Sequence, residues 1–244
     1  MILEMDFGNS RIKWRLRRSS EILVRGVADR EKGLVDVVPA IQLYKEQLKA
    51  IWVVSVLDES AKAWINFWAK KNLNLVPRYA VSQNEIAGVI NGYDDPTRLG
   101  ADRWLALVAA YNLCHSACIV ISCGTALTVD LVTGEGRHLG GYIVPGWKTA
   151  MNALNTNTQL INLNEIKGSA LVPGAYTQAA VSNGLAACYL GLIQNAIKQL
   201  AAQTHSDSRT ILATGGGAGR LQELFPEIRL SEELILDGLA YCLV

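Results

Sequence analysis

A turn near the start of the chain carries groups suited to binding phosphate. It lies between two apolar stretches and contains Asp6, Gly8, Asn9, Ser10 and Lys13. A tight turn that contains glycine directs several backbone N–H groups at one point, where they bind phosphate oxygens. Asp6 supplies an oxygen ligand of the kind that Mg2+ prefers, and Lys13 supplies a positive charge. The stretch therefore predicts a phosphate-binding turn, while a simple hairpin turn with a satisfied aspartate would account equally for its residues.

Two further turns of small residues follow apolar stretches later in the chain. Ser122 lies 116 residues after Asp6 and begins the second turn, in which Gly124 and Thr125 supply backbone donors and a hydroxyl. The third turn, "ATGGGAGR" at 213–220, allows the close backbone approach that a ribose or an adenine face needs. Each turn alone is weak evidence, but three in this order predict a nucleotide-binding protein.

The elements that must position these turns occur twice in a similar arrangement. Apolar and alternating stretches predict a strand pair around the first turn and a further strand at 50–57, and helical spacing predicts helices over 59–73 and 101–115. The pattern then restarts with a strand pair around the second turn, followed by a long helix. We therefore expect two similar α/β domains, 1–115 and 116–244, with a ligand-binding cleft between them and the last helix packed back on the first domain.

The stretch "GADR" at 100–103 carries an acid for which two roles fit. Asp102 falls in the first turn of the helix predicted over 101–115. A carboxylate there can accept the proton of an attacking alcohol, but an acid in a first turn also stabilises the helix dipole by roughly 0.3–1 kcal/mol. Arg103 could likewise be a surface residue, or hold a carboxylate through two hydrogen bonds. Spacing alone favours the helix role for Asp102 and leaves Arg103 open.

The composition argues against several classes of partner. Of the 244 residues, 50% are hydrophobic and 18% are charged, and the formal net charge is +1. No global field therefore draws the chain to nucleic acid or to an anionic membrane, and no apolar run reaches the roughly 18 residues that a membrane span needs. Arg15, Arg17 and Arg18 form a local basic run, which we expect at a solvated hairpin tip rather than in a polyanion site.

The cysteines and the first residues predict a cytoplasmic protein. Five cysteines form an odd set with no regular framework, which indicates reduced and mostly buried thiols. Cys114, Cys118 and Cys123 lie close to His115, but zinc sites usually contain paired C-x2-C motifs and the chain has none. We expect no metal cluster there. The first residues lack the basic and then apolar pattern of a secretory leader.

The order of the motifs resembles the type III pantothenate kinases. "DFGNS" is followed by Lys13, then by "GADR", "GTALT" at 124–128, "GGYIVPG" at 140–146 and, in a helical stretch, "AAVSNG" at 179–184. The resemblance covers essentially the whole chain, and "GADRW" and "GGYIVPG" are its most specific elements. It implies the α/β fold of the acetate and sugar kinase, Hsp70 and actin superfamily, with two duplicated ribonuclease H-like domains and an interdomain cleft.

The same resemblance implies an activity and a site. The family phosphorylates the 4′-hydroxyl of pantothenate with ATP, the first step towards coenzyme A, and forms homodimers with the substrate pocket at the dimer interface. Asp102 would be the general base, and Asp6 would lie near Mg2+, directly or through water. The residues implied to bind ATP are Asp6, Phe7, Gly8, Asn9, Ser10, Arg11, Ile12, Lys13, Gly124 and Thr125. Those implied to bind pantothenate are Tyr93, Gly100, Ala101, Asp102, Arg103 and Thr177, the last from the second domain or the partner subunit.

One position departs from the family pattern. The family usually has Asp where this chain has Ser122, and that Asp is associated with an activating monovalent cation, K+ or NH4+. A serine hydroxyl is neutral and is a poorer cation ligand. We therefore expect the activity to depend weakly or not at all on K+.

Two other functions stay open. A kinase for another small hydroxylated substrate, such as a sugar, would use the same ATP turns, although "GADR" and "GGYIVPG" favour pantothenate. A non-catalytic regulatory protein that binds a nucleotide would have no need for an acid at Asp102. The near-neutral net charge argues against direct binding to DNA.

Overall fold

A computed structural model describes residues 1–158 and 169–243 of the chain. The strands, in chain order, are β1 (Ile2–Phe7), β2 (Arg11–Arg18), β3 (Glu21–Asp29), β4 (Ala50–Ser55), β5 (Pro77–Tyr79), β6 (Glu85–Ile86), β7 (Val89–Ile90), β8 (Cys118–Cys123), β9 (Ala126–Val132), β10 (His138–Pro145), β11 (Thr210–Thr214) and β12 (Arg229–Leu230). The helices are α1 (Val37–Ala40), α2 (Glu59–Leu73), α3 (Ala101–Cys114), α4 (Trp147–Asn157), α5 (Thr177–Thr204), α6 (Ala218–Leu224) and α7 (Leu234–Cys242), with 3-10 turns at Gln42–Gln47 and Pro96–Arg98. Within the described ranges, no helix has both the length and the apolar character that crossing a membrane requires.

The chain divides into two compact units. The first comprises Met1–Ala87, Tyr93–Ala109 and Glu233–Val244, and the second comprises Gly88–Gly92 and Ala110–Glu232. The C-terminal helix α7 thus belongs to the first unit, where its leucines pack against the sheet. The duplication boundary expected near residue 115 stays a prediction.

The first unit is built on one mixed sheet, in the order β3-β2-β1-β4-β5. Strands β1, β2 and β3 are antiparallel neighbours, whereas β4 and β5 continue parallel to β1. Along β1, Leu3, Met5 and Phe7 point into a core shared with α2, and Glu4 and Asp6 alternate to the opposite face. Apolar side chains of α3 and α7 pack on that second face. Asp6 therefore reaches the carboxyl end of a central strand on the face where α3 begins.

The second unit repeats this topology. Its sheet has the order β10-β9-β8-β11-β12, with the first three strands antiparallel and the last two parallel to β8. Ile119, Ile121 and Cys123 of β8 are buried with residues of α5 and α6. The same strand order and the same directions in both sheets are those of a ribonuclease H-like domain.

The two central hairpins share their register up to the turn. Asp6 pairs with Lys13 in the first hairpin, and Ser122 pairs with Thr128 in the second. In the first hairpin, four residues lie between the last strand partners, Phe7 and Ile12. In the second hairpin, three residues lie between Cys123 and Leu127. The sequence offset of 116 residues therefore holds along the first strand and shortens by one after the turn.

The basic run on β2 does not lie at a solvated tip, which corrects the expectation from sequence. The tip of the β2–β3 hairpin is formed by residues 19–20, and the Arg15 side chain is 3% exposed. It donates to carboxylates of Glu4 at 2.5 Å, Glu233 at 2.8 Å and Asp237 at 2.7 Å. Burial opposes the charged form, but these three acids outweigh it and raise the pKa of Arg15. Of the three arginines, Arg18 is exposed, Arg17 is half-buried and Arg15 is buried.

Candidate functional site

The first turn presents its backbone to solvent from a fixed position. The N–H of Gly8 donates to the Arg11 carbonyl at 3.1 Å and closes the turn. From the end of β3, the Arg30 backbone N–H donates to the Ser10 carbonyl at 3.2 Å, and its Nη1 donates to the Asn9 carbonyl at 3.3 Å. Asn9, Ser10 and Arg11 are exposed. The turn is thus held at its base and open at its tip, as a phosphate loop must be.

Two of the residues predicted for ATP contribute differently from the rest. Phe7 is 2% exposed and Ile12 is 1% exposed, and both lie in the core that the sheet shares with α2. Their side chains are packed inside the first unit, so only their backbone atoms are available at the turn.

Asp6 lies where three charges influence one another. Burial raises the pKa of Asp6 to about 7, the negative charge of Asp102 adds to the increase, and the positive charge of Lys13 opposes it. Lys13 is the direct cross-strand neighbour of Asp6. The fold therefore brings together Asp6 and Asp102, which stand 96 residues apart in the sequence.

The start of α3 fixes the direction of the Asp102 carboxylate. Its Oδ1 accepts a hydrogen bond from the Arg103 backbone N–H at 2.8 Å. A Cβ atom placed on Gly100 would lie 2.8 Å from the same oxygen. Any side chain at position 100 would therefore displace the carboxylate, which gives the glycine of "GADR" a physical reason.

Arg103 is not a surface residue. It is 6% exposed, its Nη1 donates to the Tyr93 hydroxyl oxygen at 2.8 Å, and its guanidinium carbon lies 5.6 Å from the centre of the Tyr93 ring. A buried guanidinium needs partners of this kind because an uncompensated buried charge is costly. Tyr93, Gly100, Ala101, Asp102 and Arg103 thus form one cluster in the first unit.

The second turn is held by the segment that ends "GGYIVPG". The N–H of Gly124 donates to the Ala126 carbonyl at 2.9 Å, and the N–H of Gly146 donates to the Thr125 carbonyl at 2.8 Å. Thr149 Oγ1 donates to the same Thr125 oxygen at 2.6 Å. A Cβ on Gly146 would lie only 2.1 Å from the Gly124 carbonyl oxygen. The motif therefore serves to bring α4 into backbone contact with the turn.

The glycine loop after β11 packs against the same turn. The N–H of Gly217 donates to the Cys123 carbonyl at 3.1 Å. Gly215 has a φ of 95°, and a Cβ there would lie 2.5 Å from the same carbonyl oxygen. Only glycine combines this backbone conformation with so close an approach. The second and third turns predicted from sequence thus form one surface of the second unit.

Ser122 lies in a row of neutral hydroxyl groups. Its cross-strand partners are Thr128 on β9 and Thr214 on β11. Among the described residues, the buried Thr128 Oγ1 has no hydrogen-bond partner. The corresponding hairpin positions in the first unit are occupied by Asp6 and Lys13, so the second unit has no charge where the first has two.

Thr177 and the pair formed by Arg220 and Trp147 lie in the second unit. Thr177 is exposed and is the first residue of α5 in the second unit. Arg220 and Trp147 stack on each other beside the second turn, and sequence reasoning did not single them out. The available signals were an arginine at the end of the glycine loop and a tryptophan directly after "GGYIVPG".

In the part of the chain that the structure describes, no group of three or more His, Cys, Asp or Glu side chains is placed to hold a metal ion.

Two sheets of one topology, each with a glycine turn after its first strand, define the fold of the acetate and sugar kinase, Hsp70 and actin superfamily. A Campylobacter jejuni structure named for the Baf family of transcriptional activators has a TM-score of 0.61, at 20% identity over 98% of this chain and 95% of its own. A Sinorhizobium meliloti structure named for 2-dehydro-3-deoxygalactonokinase has a TM-score of 0.60, at 13% identity over 98% and 97%. At these identities the likeness establishes the fold alone, and it confirms the predicted fold class.

The family follows from closer matches. The model of the type III pantothenate kinase family matches residues 2–199. The type III pantothenate kinase of Pseudomonas putida (strain W619) is 36% identical, over 98% of this chain and 98% of its own. The chain therefore belongs to the type III pantothenate kinase family, as the motifs predicted.

Proposed function

We propose that this chain transfers the γ-phosphoryl group of ATP to the 4′-hydroxyl of pantothenate, the first step towards coenzyme A. The observation that carries the proposal is that the charge of Asp102 acts on Asp6, in a chain of this family. One acid lies next to the phosphate turn, and the other lies in a cluster with a buried arginine. Phosphoryl transfer depends mostly on positioning and on offsetting charge, and this arrangement provides groups for both.

In this proposal Asp102 is the general base. The bond from the pantothenate oxygen to the γ-phosphorus forms as the bond from that phosphorus to the bridging oxygen of ADP breaks. The proton of the hydroxyl passes to the Asp102 carboxylate. The hydrogen bond from the Arg103 backbone N–H keeps the carboxylate aimed while this happens. Lys13 offsets negative charge that builds up on the phosphate oxygens.

The acids of the first unit fit a divalent cation that accompanies ATP. Partial burial and the charge of Asp102 raise the pKa of Asp6 to about 7, so a positive charge beside it would favour its ionised form. Mg2+ is usually held through one or two carboxylates with several waters retained, which suits Asp6 directly or through water. When bound, such an ion supplies positive charge to the phosphate oxygens.

The cluster around Arg103 suits the carboxylate of pantothenate. A guanidinium can hold a carboxylate through two parallel hydrogen bonds. Tyr93 fixes the plane of the Arg103 guanidinium from one side, through the ring contact and the hydrogen bond to its hydroxyl. We further propose that the protein acts in the cytoplasm as a homodimer, with the exposed Thr177 contributing to the pantothenate site from the second unit or from the partner subunit.

The test of the function is an acceptor panel. ADP release is measured with pantothenate, with several sugars and without any acceptor. We expect pantothenate to stimulate ADP release well above the rate without acceptor, and the sugars to leave it at that rate. Stimulation by a sugar and not by pantothenate would favour a kinase for another hydroxylated substrate. Binding of ATP without release of ADP on any acceptor would favour a regulatory protein.

Gly146→Ala is expected to raise the KM for ATP by at least about tenfold. The added methyl group would lie 2.1 Å from the Gly124 carbonyl oxygen, so the second turn must move, and a shift of about 1 Å can cost on the order of 100-fold in a reaction that depends on positioning. Gly191→Ala is the matched control, because a Cβ there meets nothing within 4 Å. In the control we expect an unchanged KM and a stability gain of up to about 1 kcal/mol, since Gly191 lies inside helix α5. Equal KM values for the two variants would contradict the role given to the second turn.

The neutral row around Ser122 predicts weak dependence on monovalent cations. At constant ionic strength, we expect the rate in K+ to stay within about twofold of the rate in tetramethylammonium, because hydroxyl oxygens without a carboxylate hold a cation weakly. Ser122→Asp should introduce stimulation by K+, since it places a carboxylate between Thr128 and Thr214. A strong K+ requirement of the unaltered protein would contradict this expectation.

A further inference from the structure

An arginine and a tryptophan form a stack in the second unit that the proposed mechanism does not use. The guanidinium carbon of Arg220 lies 4.6 Å from the centre of the Trp147 ring. Both side chains are partly buried. An arginine at this distance over an indole is attracted by the negative face of the ring, so the contact restrains the guanidinium.

Both partners of the stack are anchored on the second turn. Trp147 directly follows Gly146, whose N–H donates to the Thr125 carbonyl at 2.8 Å. Arg220 follows the glycine loop, in which the N–H of Gly217 donates to the Cys123 carbonyl at 3.1 Å. Because both anchors use residues 123–125, the stack is held beside the turn proposed to bind the phosphates of ATP.

The tryptophan is itself held firmly. Its ring lies 5.6 Å from the Tyr189 ring at an interplanar angle of 56°. The Tyr189 hydroxyl donates to the Pro145 carbonyl at 2.8 Å, two residues before the tryptophan. Contacts with Tyr189 as well as with Arg220 therefore support the Trp147 ring in this position.

The charge of Arg220 is not used inside the described part of the chain. Among the described residues, the Arg220 guanidinium forms no ion pair with a carboxylate and donates no hydrogen bond. By contrast, Arg209 of the same unit pairs with Glu227 at 3.2 Å. A guanidinium has a planar face as well as five N–H donors. The face turned away from Trp147 and the donors are thus left for a ligand.

We propose that Arg220, supported by Trp147, stacks against the base of the bound nucleotide and so positions the adenosine end of ATP. This rests on the proposed function, because it requires a nucleotide at the second turn. Guanidinium planes and aromatic rings are common supports for bases. Arg220 ends the glycine loop at 213–220, which the sequence predicts to contact a ribose or an adenine face. This position favours the base, rather than the phosphates, as the partner of Arg220.

The test compares two probes in the full chain by isothermal titration calorimetry. ADP carries the base, and inorganic tripolyphosphate carries only phosphates. We expect Arg220→Ala to raise the Kd for ADP by about tenfold, in line with the loss of one base-stacking contact, and to leave the Kd for tripolyphosphate unchanged. Arg220→Lys keeps the charge but loses the plane, so it should weaken ADP binding nearly as much. Arg229→Ala, which removes an exposed charge on β12, is the matched control and should bind both probes normally.

Three results would overturn the inference. Unchanged ADP binding in Arg220→Ala would show that the residue does not touch the nucleotide. Normal ADP binding in Arg220→Lys would mean that charge alone is needed. Equal losses for ADP and tripolyphosphate would assign the arginine to the phosphates. The unaltered protein separates the two proposals, because ADP binding without phosphorylation of pantothenate overturns the proposed function while the comparison of variants still decides the role of Arg220.

Discussion

Asp102→Asn is expected to lower the rate of pantothenate phosphorylation by about 100- to 10,000-fold at saturating substrates, the usual contribution of a general base. Asparagine keeps the size of the side chain and an oxygen that can accept the Arg103 N–H. It cannot take the proton of the attacking hydroxyl. The rate is measured as ADP release that depends on pantothenate, and the Kd for ADP should change by less than about twofold.

Asp95→Asn is the control for that substitution. Asp95 lies in the loop before α3, is exposed and caps a short 3-10 turn by accepting from the Thr97 backbone N–H at 3.0 Å. Asparagine preserves that cap while removing the same charge, so we expect the rate to stay within about twofold. A rate for Asp102→Asn that matches this control would remove the base assignment and leave Asp102 the helix role that spacing alone favours.

Replacing Asp102 has a second consequence at Asp6. The charge of Asp102 helps to raise the pKa of Asp6 to about 7. Without that charge the pKa of Asp6 should fall, which NMR titration of the carboxyl can follow. This readout reports whether the two acids are close, independently of any activity.

Arg15→Met is expected to lower the free energy of unfolding by about 3–5 kcal/mol, the range found when one member of a buried ionic network is removed. Glu4 is 0% exposed and, among the described residues, would keep Arg17 alone as its cation, while Glu233 and Asp237 would lose a group that joins α7 to the sheet. Methionine fills a similar volume, so the loss reports the charges rather than a cavity. Urea denaturation followed by fluorescence measures the change.

Arg25→Met is the matched control, because Arg25 pairs with the same Glu233 at 3.0 Å but its side chain is 63% exposed. Exposed ion pairs usually contribute less than about 1 kcal/mol, and we expect no more here. Equal stabilities of the two methionine variants would contradict the view that burial makes the Arg15 network important for the first unit.

The sequence predicted those elements whose residues obey one local period. Helix α2 was expected over 59–73 and spans Glu59–Leu73, because its apolar residues recur at helical spacing and Asp58 caps its first turn. The strand pairs around the two turns were also predicted, since alternating residues flank the first turn and nearly continuous apolar runs flank the second. In each case the information lies within about fifteen neighbouring residues.

Strand β3 was not predicted because its pattern depends on a neighbouring strand. Gly26 interrupts the apolar run, and a glycine inside a strand usually lowers its propensity. In the structure Gly26 pairs with Trp14, and a Cβ at position 26 would lie 2.6 Å from the indole ring. The glycine makes room for a side chain of β2, which no local period reveals.

The prediction that Arg15 lies at a solvated hairpin tip was wrong because its position also depends on residues far away in the sequence. Two of its acidic partners stand 218 and 222 residues away in the sequence. A basic residue in an alternating strand is ordinarily solvated, and only the return of α7 to the first sheet changes that. The spacing of residues also could not link Asp102 to Asp6. That link was predicted from the resemblance to a family.

The most direct measurement of the central claim is the identity of the phosphorylated product. The protein is incubated with ATP, Mg2+ and pantothenate, and the products are examined by mass spectrometry and 31P NMR. We predict 4′-phosphopantothenate in an amount equal to the ADP formed, and about 100- to 10,000-fold less of it in the same time with Asp102→Asn. ADP formed without phosphorylated pantothenate, or phosphate found at a different oxygen of pantothenate, would contradict the account.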